Sequence, residues 1–369
     1  MRLGIIGLPQ SGKTTIFNAL TRGDQPVTMS GGRIEIRTAV VDVPDPRVER
    51  LVELFHPQKT SFAKVTYADI AGLEGNSGNN GNGNGNGNGN GKKGISGVLL
   101  NQLSQMDGFV HVVRCFENAS VPHSSGSLDP QRDIDSMDSE LALNDLISVE
   151  RKLERLVEEK KKSGGRDKAV IEREMALFEK FQAALSAAVP LRDIDLDAEQ
   201  EKMLSGFGLL TLKPVLIVLN LADEQQPPQI EYPHRFSAVV PLQGRLEMEL
   251  AQLSAEDAGL FMNDFGIQEL GLQRVINQSY DLLGLQSFFT VGEDEVRAWT
   301  VRRGASALEA AGVIHTDLQK GFIRAEVIDN AELLALGGLV EARNRGRLRL
   351  EGKEYPVQDG EIMHVRFNL

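Results

Sequence analysis

The stretch near the amino terminus constrains the fold of this chain more than any other part of it. A short apolar run, residues 3–8, leads into Gly7–Thr14, which reads GLPQSGKT and matches the pattern GxxxxGK[ST] in full. Residues 11–20 then place apolar side chains at helical spacing. The backbone N–H groups of such a loop can converge only when it joins a buried strand to a helix amino terminus. The motif therefore predicts an α/β fold that begins with a strand, a phosphate-binding loop and a helix.

The residues of this loop have separate predicted roles. The glycines let backbone N–H groups turn toward phosphate oxygens. Lys13 is predicted to reach the β and γ phosphates of a nucleoside triphosphate and to act in catalysis, and Thr14 to place its hydroxyl on Mg²⁺. The predicted phosphate-binding residues are Gly7, Gln10, Ser11, Gly12, Lys13, Thr14 and Thr15.

A second motif, DxxG, follows another apolar run, residues 63–70. The Asp69 carboxylate is predicted to lie at the Mg²⁺ site, and the Gly72 N–H to contact the γ-phosphate and act in catalysis. Leu73 stands where Ras-type GTPases carry a glutamine that orients the attacking water. Leucine cannot orient water by hydrogen bonding, so hydrolysis is predicted to be slow or to use another group.

A third motif follows the apolar run 214–219. Asn220-Leu221-Ala222-Asp223 resembles the NKxD sequence with which GTPases recognise guanine, with leucine in place of lysine. An aspartate at this position accepts hydrogen bonds from guanine N1–H and the exocyclic amine, and adenine offers neither donor there. Asn220, Leu221 and Asp223 are therefore predicted to bind the base.

The rest of the chain divides by pattern. Residues 75–91 are nearly pure Gly-Asn alternation and predict a mobile loop without chemistry of its own. Residues 139–186 are charged and free of proline, with apolar side chains at 3-4-3 spacing on both sides of Ser163-Gly164-Gly165. This pattern predicts an antiparallel helical hairpin, the alternative being two ordinary surface helices. The apolar residues of the hairpin at this spacing are Leu146, Val149, Leu153, Leu156, Ile171, Met175 and Phe178.

After Gly284, short β-like runs separated by turns predict a small mixed-sheet domain.

Composition narrows the class of protein. The formal net charge of −12 argues against a wholly basic nucleic-acid binder. A single cysteine, Cys115, excludes an internal disulfide framework and fits a reducing compartment. No apolar run approaches the roughly 18 residues that span a bilayer, and the amino terminus lacks a signal-peptide layout. We expect a cytoplasmic protein whose partners include neither membrane nor DNA.

In this order, the motifs resemble those of the Obg-like ATPases of the YchF type, within the translation-factor class of P-loop GTPases. Gly7–Thr14 is similar to the family sequence GLPNVGKS, residues 43–47 to its VPDPR, and Asp69–Leu73 to its DIAGL. Residues 295–300, 311–317 and 321–327 resemble the TGS-type domain of the family.

The resemblance implies an architecture and partners. It implies a P-loop G domain (residues 1–138 and 206–283), an inserted antiparallel coiled-coil hairpin (139–205) and a C-terminal TGS-type α+β domain (284–369). It also implies ATP or GTP with Mg²⁺, and association with a ribosome or ribosomal RNA. Gln243 resembles part of the final base-flanking loop and joins the predicted base-binding residues.

The chain departs from the family pattern at several predicted site positions. Gln10 stands where the family has asparagine, Arg33 where it has a switch threonine, and Gln243 where it has serine. The family reads adenine with NxxE, whereas the carboxylate chemistry of Asp223 favours guanine. The missing lysine of NKxD, whose stem packs on guanine, favours ATP. Both nucleotides therefore remain candidates.

Three functions follow from these features. The first is a slow, switch-type hydrolase of ATP or GTP associated with ribosomes. The second is a nucleotide-dependent ribosome-binding module with negligible hydrolysis. The third, a small-molecule kinase, is disfavoured by the base-reading motif and by the absence of an arginine-rich lid. Arginines at alternating positions near the C-terminus could meet RNA phosphates or be balanced by nearby glutamates: Arg343, Arg345, Arg347, Arg349 and Lys353 beside Glu341, Glu351 and Glu354.

Overall fold

The structure is a computed structural model that describes residues 1–23, 36–70, 97–162, 166–204, 206–264 and 270–368. Arg33, Gly72, Leu73, the Gly-Asn tract and the predicted helix break at 163–165 lie outside the described residues. The chain forms two compact units, one of Met1–Ala39 with Thr66–Leu272 and the other of Val40–Val65 with Gln273–Leu369.

The elements are named in chain order. The strands are β1 (Arg2–Ile6), β2 (Ile36–Asp42), β3 (Lys59–Ser61), β4 (Lys64–Ile70), β5 (Gly108–Arg114), β6 (Val215–Asn220), β7 (Ser237–Leu242), β8 (Leu285–Thr290), β9 (Glu295–Arg302), β10 (Phe322–Asp329), β11 (Arg349–Glu351) and β12 (Glu361–Phe367). The helices are α1 (Lys13–Thr21), α2 (Pro46–Phe55), α3 (Gly97–Ser104), α4 (Pro130–Lys161), α5 (Lys168–Ser186), α6 (Ala198–Leu204), α7 (Gly244–Gln252), α8 (Ala255–Asp264), α9 (Gly271–Leu282), α10 (Ala307–Ile314), α11 (Thr316–Lys320), α12 (Asn330–Leu336) and α13 (Leu339–Asn344).

A six-stranded sheet in the order β2-β4-β1-β5-β6-β7 organises the first unit. The neighbouring pairs from β4 through β7 are parallel. The apolar runs 63–70, 109–115 and 214–219 of the sequence predict buried parallel strands, and they are confirmed as β4, β5 and β6; every residue of β5 and β6 is buried. Parallel strands present their carboxyl ends at the same edge, so the segments that follow β1, β4, β5 and β6 meet there.

The predicted helical hairpin is confirmed, with one difference at its start. Helix α4 begins at Pro130, ahead of the predicted position 139, because Asp129 accepts a hydrogen bond from Arg132 N at 3.1 Å and proline suits the first helical turn. The ion pairs Lys152–Glu174 (2.6 Å) and Lys160–Glu172 (2.9 Å) show that α5 runs back along α4.

The apolar seam of the hairpin is part of a hydrophobic core. Val149, Leu156, Ile171 and Phe178 are fully buried. Most of the seam joins one cluster with residues of the returning chain, among them Leu191, Leu204 and Leu209. The predicted spacing therefore identified real core positions, and the root of the hairpin shares its core with the chain that leads back to β6.

One buried carboxylate holds the root of the hairpin. Asp145, on α4, is 2% exposed. Its oxygens accept hydrogen bonds from Leu210 N (2.8 Å), Thr211 N (2.7 Å) and the Thr211 hydroxyl (2.6 Å). Burial raises the pKa of Asp145, and these three donors oppose the rise. The carboxylate thus ties α4 to the segment that enters β6.

The second unit contains a six-stranded sheet in the order β11-β10-β12-β8-β9-β3, with α10 packed on β9 and β10. The short strands predicted after residue 284 are confirmed as β8 to β12. Strand β3 pairs in parallel with β9, and Arg47 binds Asp359 at 2.8 Å and Asp45 at 2.8 Å. Residues 40–65, predicted within the first domain, therefore pack with the C-terminal sheet, and the predicted domain limits stay a prediction.

The arginines near the C-terminus do not form one basic strip. Arg343 lies on α13 and Arg349 on β11, with two others between these elements. Each is paired with a carboxylate: Arg343 with Glu326, Arg345 with Glu341, Arg347 with Glu332, and Arg349 with Glu361. Among the described residues the charges are balanced, but only Glu341 and Glu351 of the glutamates suggested by the sequence take part, and the other partners come from β10, α12 and β12. This group therefore gives no support for an RNA contact.

Across the described parts of the chain, no helix combines the length and apolar character that crossing a membrane requires.

Replacing Asp145 by alanine should lower the free energy of unfolding by about 3 kcal/mol, because two buried N–H groups and a hydroxyl lose their acceptor. Urea unfolding followed by circular dichroism measures the change. Asp135→Ala, on the exposed face of the same helix, is the matched control and should change the value by less than about 0.5 kcal/mol. Equal effects of the two substitutions would contradict the assigned role of Asp145.

Candidate functional site

The backbone of the loop after β1 requires glycine at two positions, Gly7 and Gly12. Gly7 and Gly12 have φ of +150° and +98°, and Gln10 has φ of +62°. A Cβ on Gly7 would lie 2.3 Å from the Val112 carbonyl oxygen, and a Cβ on Gly12 would lie 2.1 Å from the Asn220 Nδ2. Gly12 is the N-cap residue of α1, so the loop ends at a helix amino terminus as predicted. Exposed N–H groups and the positive end of the helix dipole favour an anion there.

Lys13 places its charge directly on this loop. Its Nζ donates hydrogen bonds to the carbonyl oxygens of Gly7 (2.9 Å) and Leu8 (2.8 Å). The ammonium group therefore lies against the loop, and the predicted contact with phosphates stays a prediction.

Thr14 and Asp69 come together, as predicted, from α1 and the end of β4. The Thr14 hydroxyl donates to Asp69 Oδ2 at 3.2 Å. The other oxygen, Asp69 Oδ1, is buried and has no hydrogen-bond partner among the described residues. Burial raises the pKa of Asp69, and the hydrogen bond from Thr14 and the charges of Lys13 and Arg37 oppose the rise.

These two side chains fit a divalent cation. A hydroxyl and a carboxylate are the hard oxygen ligands that Mg²⁺ prefers, and an unpartnered buried carboxylate oxygen indicates a missing ligand. Within the described ranges, no group of three or more His, Cys, Asp or Glu side chains could hold a metal. Such a cluster is not required, since Mg²⁺ at phosphate sites uses one or two protein ligands together with phosphate oxygens and water.

Asn220 joins the third motif to the first. Its side chain is 4% exposed. The amide Nδ2 donates to the Ser11 carbonyl oxygen at 2.9 Å, and Oδ1 accepts from Gly244 N at 3.2 Å. Asn220 therefore ties the phosphate loop to the start of α7.

The other predicted base-binding residues separate into two groups. Leu221 is 5% exposed and its side chain packs in the core of the first unit. Asp223 is exposed, in a turn held by Gln225, whose Oε1 accepts from Ala222 N (2.9 Å) and whose Nε2 donates to the Cys115 carbonyl oxygen (2.6 Å).

The segment at the start of α7 lies near the Asp223 turn. Gln243 is the residue that precedes this helix, and its side chain makes no capping hydrogen bond. The ion pair with Glu249 raises the pKa of Arg245, and the charge of Asp223 adds to that rise. The two predicted base-flanking segments therefore share the edge of the sheet at which β6 and β7 end.

The structure also brings two histidines to the back of the loop. His111 and His123 line one recess with Leu8, Ser11 and Asp133, among other residues. Burial, with the nearby charge of Lys13, lowers the pKa of His111 to about 3, so this imidazole is neutral. His123 Nε2 lies 2.8 Å from Asp133 Oδ2. Neither histidine carries a motif that identifies it in the sequence, and His111 reaches the loop because β5 pairs with β1, with His111 beside Ile6.

Substituting Gly12 by alanine should lower the free energy of unfolding by about 2 kcal/mol, because the new Cβ meets Asn220 and φ is strained. Gly97→Ala is the matched control, since a Cβ there has no neighbour within 4 Å and should cost less than about 0.5 kcal/mol. Thermal unfolding of both variants measures the difference. A neutral Gly12→Ala would show that the loop does not hold this backbone.

Comparison with known proteins agrees with this geometry. The family model YchF-GTPase_C, described as a protein of unknown function (DUF933), matches residues 285–368. The Haemophilus influenzae protein named ribosome-binding ATPase YchF is 41% identical over 376 residues, covering 100% of this chain and 99% of that protein. The Bacillus subtilis protein of the same name is 40% identical over 377 residues, covering 99% of each.

A solved structure extends the likeness to three dimensions. The structure of the Schizosaccharomyces pombe YchF GTPase superposes with a TM-score of 0.80 at 28% identity, covering 99% of this chain and 97% of that one. The fold expected from the resemblance, an α/β P-loop domain with an inserted hairpin and a further C-terminal sheet, is confirmed. With relatives matched along essentially its whole length, this chain belongs to the YchF family.

Proposed function

We propose that this protein binds a purine nucleoside triphosphate with Mg²⁺ on the loop Gly7–Thr14, hydrolyses it slowly and associates with ribosomes. The observation that carries the proposal is the meeting of three predicted motifs at one sheet edge. Thr14 contacts Asp69 at 3.2 Å, and Asn220 contacts the loop at Ser11. The names of the relatives, ribosome-binding ATPase and GTPase, support the same activity and partner.

The residues of the loop would bind the phosphates. Backbone N–H groups from Gly7 to Thr15 would surround the β-phosphate, and Lys13 would exchange its two carbonyl acceptors for β- and γ-phosphate oxygens. This exchange costs little, because the ammonium already lies against the loop. Ser11 and Gly12 would be held in place by Asn220 behind them.

Thr14 and Asp69 would hold the cation, Thr14 through its hydroxyl and Asp69 through the carboxylate whose Oδ1 has no partner among the described residues. Bound Mg²⁺ neutralises charge on the phosphate oxygens. The raised pKa of Asp69 falls when a positive charge lies beside it, so protonation at acid pH should weaken cation binding. We propose Gly72 as the γ-phosphate contact from its place in DxxG.

Slow turnover is part of the proposal. Leu73 cannot orient a water molecule, so this chain needs another group, its own or a partner's, to do so. A protein that retains the triphosphate for a long time and hydrolyses it when a partner binds behaves as a switch. We place this activity in the cytoplasm, where ribosomes are found and where a free buried Cys115 stays reduced.

ATP is the proposed nucleotide. GTPases of the NKxD type pack a lysine stem on guanine, and here Leu221 occupies that position with its side chain buried in the core. Asp223 is exposed beside the start of α7 and is available to the base. Its carboxylate is the one feature that favours guanine.

Calorimetric titration should show that a non-hydrolysable ATP analogue with Mg²⁺ binds more tightly than the GTP analogue, because no lysine stem supports guanine. Lys13→Ala should abolish binding of both, since the charge on the phosphates is lost, and serves as the blank. Tighter GTP binding that Asp223→Asn removes would contradict the ATP assignment. Absence of binding to either nucleotide would contradict the proposed function itself.

Added ribosomes should raise ATP turnover by about tenfold or more over the slow intrinsic rate, if a partner supplies the water-orienting group that Leu73 cannot provide. Phosphate release from the wild type and from Lys13→Ala, with and without ribosomes, measures this. Ribosome binding that depends on nucleotide, without turnover that Lys13→Ala removes, would instead support a binding module with negligible hydrolysis.

A further inference from the structure

A half-buried lysine that the proposed function does not use, Lys213, lies where β6 begins. Lys213 lies two positions after Thr211, which Asp145 holds together with Leu210 at the root of the hairpin. Pro214 and β6 follow it, and β6 ends at Asn220 on the phosphate loop. Lys213 therefore lies at a junction between the hairpin and the strand that supports the site.

The ammonium group of Lys213 closes the C-terminal end of α3. Its Nζ donates to the carbonyl oxygens of Leu103 (3.1 Å), Ser104 (2.6 Å) and Met106. Carbonyl groups at the end of a helix have no partner within the helix, and a lysine satisfies them while complementing the negative end of the dipole. All three donors of one ammonium are used, so α3 and residue 213 cannot shift independently without breaking several hydrogen bonds.

The environment of this lysine shows that the contact is internal rather than a surface ion pair. Nζ lies 5.8 Å from the centre of the Phe109 ring. Burial lowers the pKa of Lys213 to about 8, and the charges of Asp107 and Asp145 oppose the decrease. Because this ammonium is largely withdrawn from water, it depends on its three carbonyl acceptors for hydrogen bonds.

Helix α3 is the first described element after the DxxG motif. Strand β4 carries Asp69 at its end, and the chain next described begins α3 at Gly97. In a switch NTPase the segment that follows this aspartate responds to the γ-phosphate. A displacement of α3 on nucleotide binding would therefore be transmitted to Lys213, which holds the far end of this helix.

We propose that Lys213 is a positioning residue that couples α3 to the root of the helical hairpin, so that nucleotide binding at the loop alters the hairpin. The path runs from α3 through the three carbonyl contacts to Lys213, then through Thr211 to Asp145 on α4. It rests on the proposed function, since it requires a bound nucleotide to act. The hairpin thereby becomes the part of the first unit whose state reports the nucleotide to a partner.

Hydrogen exchange measured by mass spectrometry tests this path. In the full-length wild type, the non-hydrolysable ATP analogue with Mg²⁺ should change exchange in peptides from α3 and from the hairpin root, residues 141–156 and 204–212. In Lys213→Met, which keeps the apolar stem and removes the donors, the α3 response should remain and the hairpin response should fall by about threefold or more. Affinity for the analogue, measured by calorimetry, should stay within about threefold of the wild type.

The control variant is Lys168→Met, which removes an exposed lysine of the hairpin and should leave both responses intact. If Lys213→Met does not fold, Thr211→Val takes its place, because it removes the 2.6 Å hydroxyl contact with Asp145, together with the 3.3 Å contact from Leu191 N, and leaves the backbone bond to Asp145. A hairpin response of wild-type size in the folded variant would overturn the coupling. So would an α3 response in the wild type without any response of the hairpin.

Calorimetry separates this inference from the function on which it rests. Loss of analogue binding in the wild type would count against the proposed function, whatever exchange shows. Normal binding of the analogue to the wild type, without any change of hydrogen exchange in the hairpin, would count against the coupling through Lys213 and not against the proposed function.

Discussion

One side-chain amide holds the site together. The Asn220 amide donates a hydrogen bond to the Ser11 carbonyl oxygen and accepts one from the Gly244 N–H, so three segments of the chain meet at one buried group. The contact is possible because β6 lies beside β5, which lies beside β1, in a parallel sheet whose strands end at a common edge. Since Gly12 leaves no room for a Cβ against this amide, the glycine of the phosphate loop and the asparagine 208 positions further along form one unit.

Two largely desolvated charges, the buried Asp145 carboxylate and the half-buried Lys213 ammonium, connect the inserted hairpin to this site. Asp145 holds the returning chain from the hairpin side, and Lys213 holds α3 from the strand side. A buried charge is tolerated only when nearly all of its hydrogen-bonding capacity is used, which is so for both side chains. The hairpin inserted between β5 and β6 therefore leaves the order of the strands unchanged, and hydrogen bonds of Asp145 and Lys213 fix it to the sheet.

In the second unit, sequence patterns predict the strands but not all of their partners. Its strands β8 to β12 were predictable, because each is a short alternating or apolar run bounded by turns. The inclusion of residues 40–65 was not, since β3 has only three residues and owes its pairing to β9, more than 230 positions away. The arginines after residue 342 were predictable as charges but not as neutralised ones, because partners such as Glu326 and Glu361 come from other strands.

By itself, the sequence determined what depends on a few neighbouring residues. It determined the strand–loop–helix around Gly7–Thr14, the buried strands that carry Asp69 and Asn220, and the helical hairpin, because glycine freedom, apolar runs and helical spacing act locally. Only the tertiary structure decided which distant group each polar side chain meets. The contact of Asn220 with Ser11 joins residues 209 positions apart, and that of Lys213 with Met106 joins residues 107 apart. Such partners are set by the order of strands in the sheet, which brings together segments that no local pattern relates.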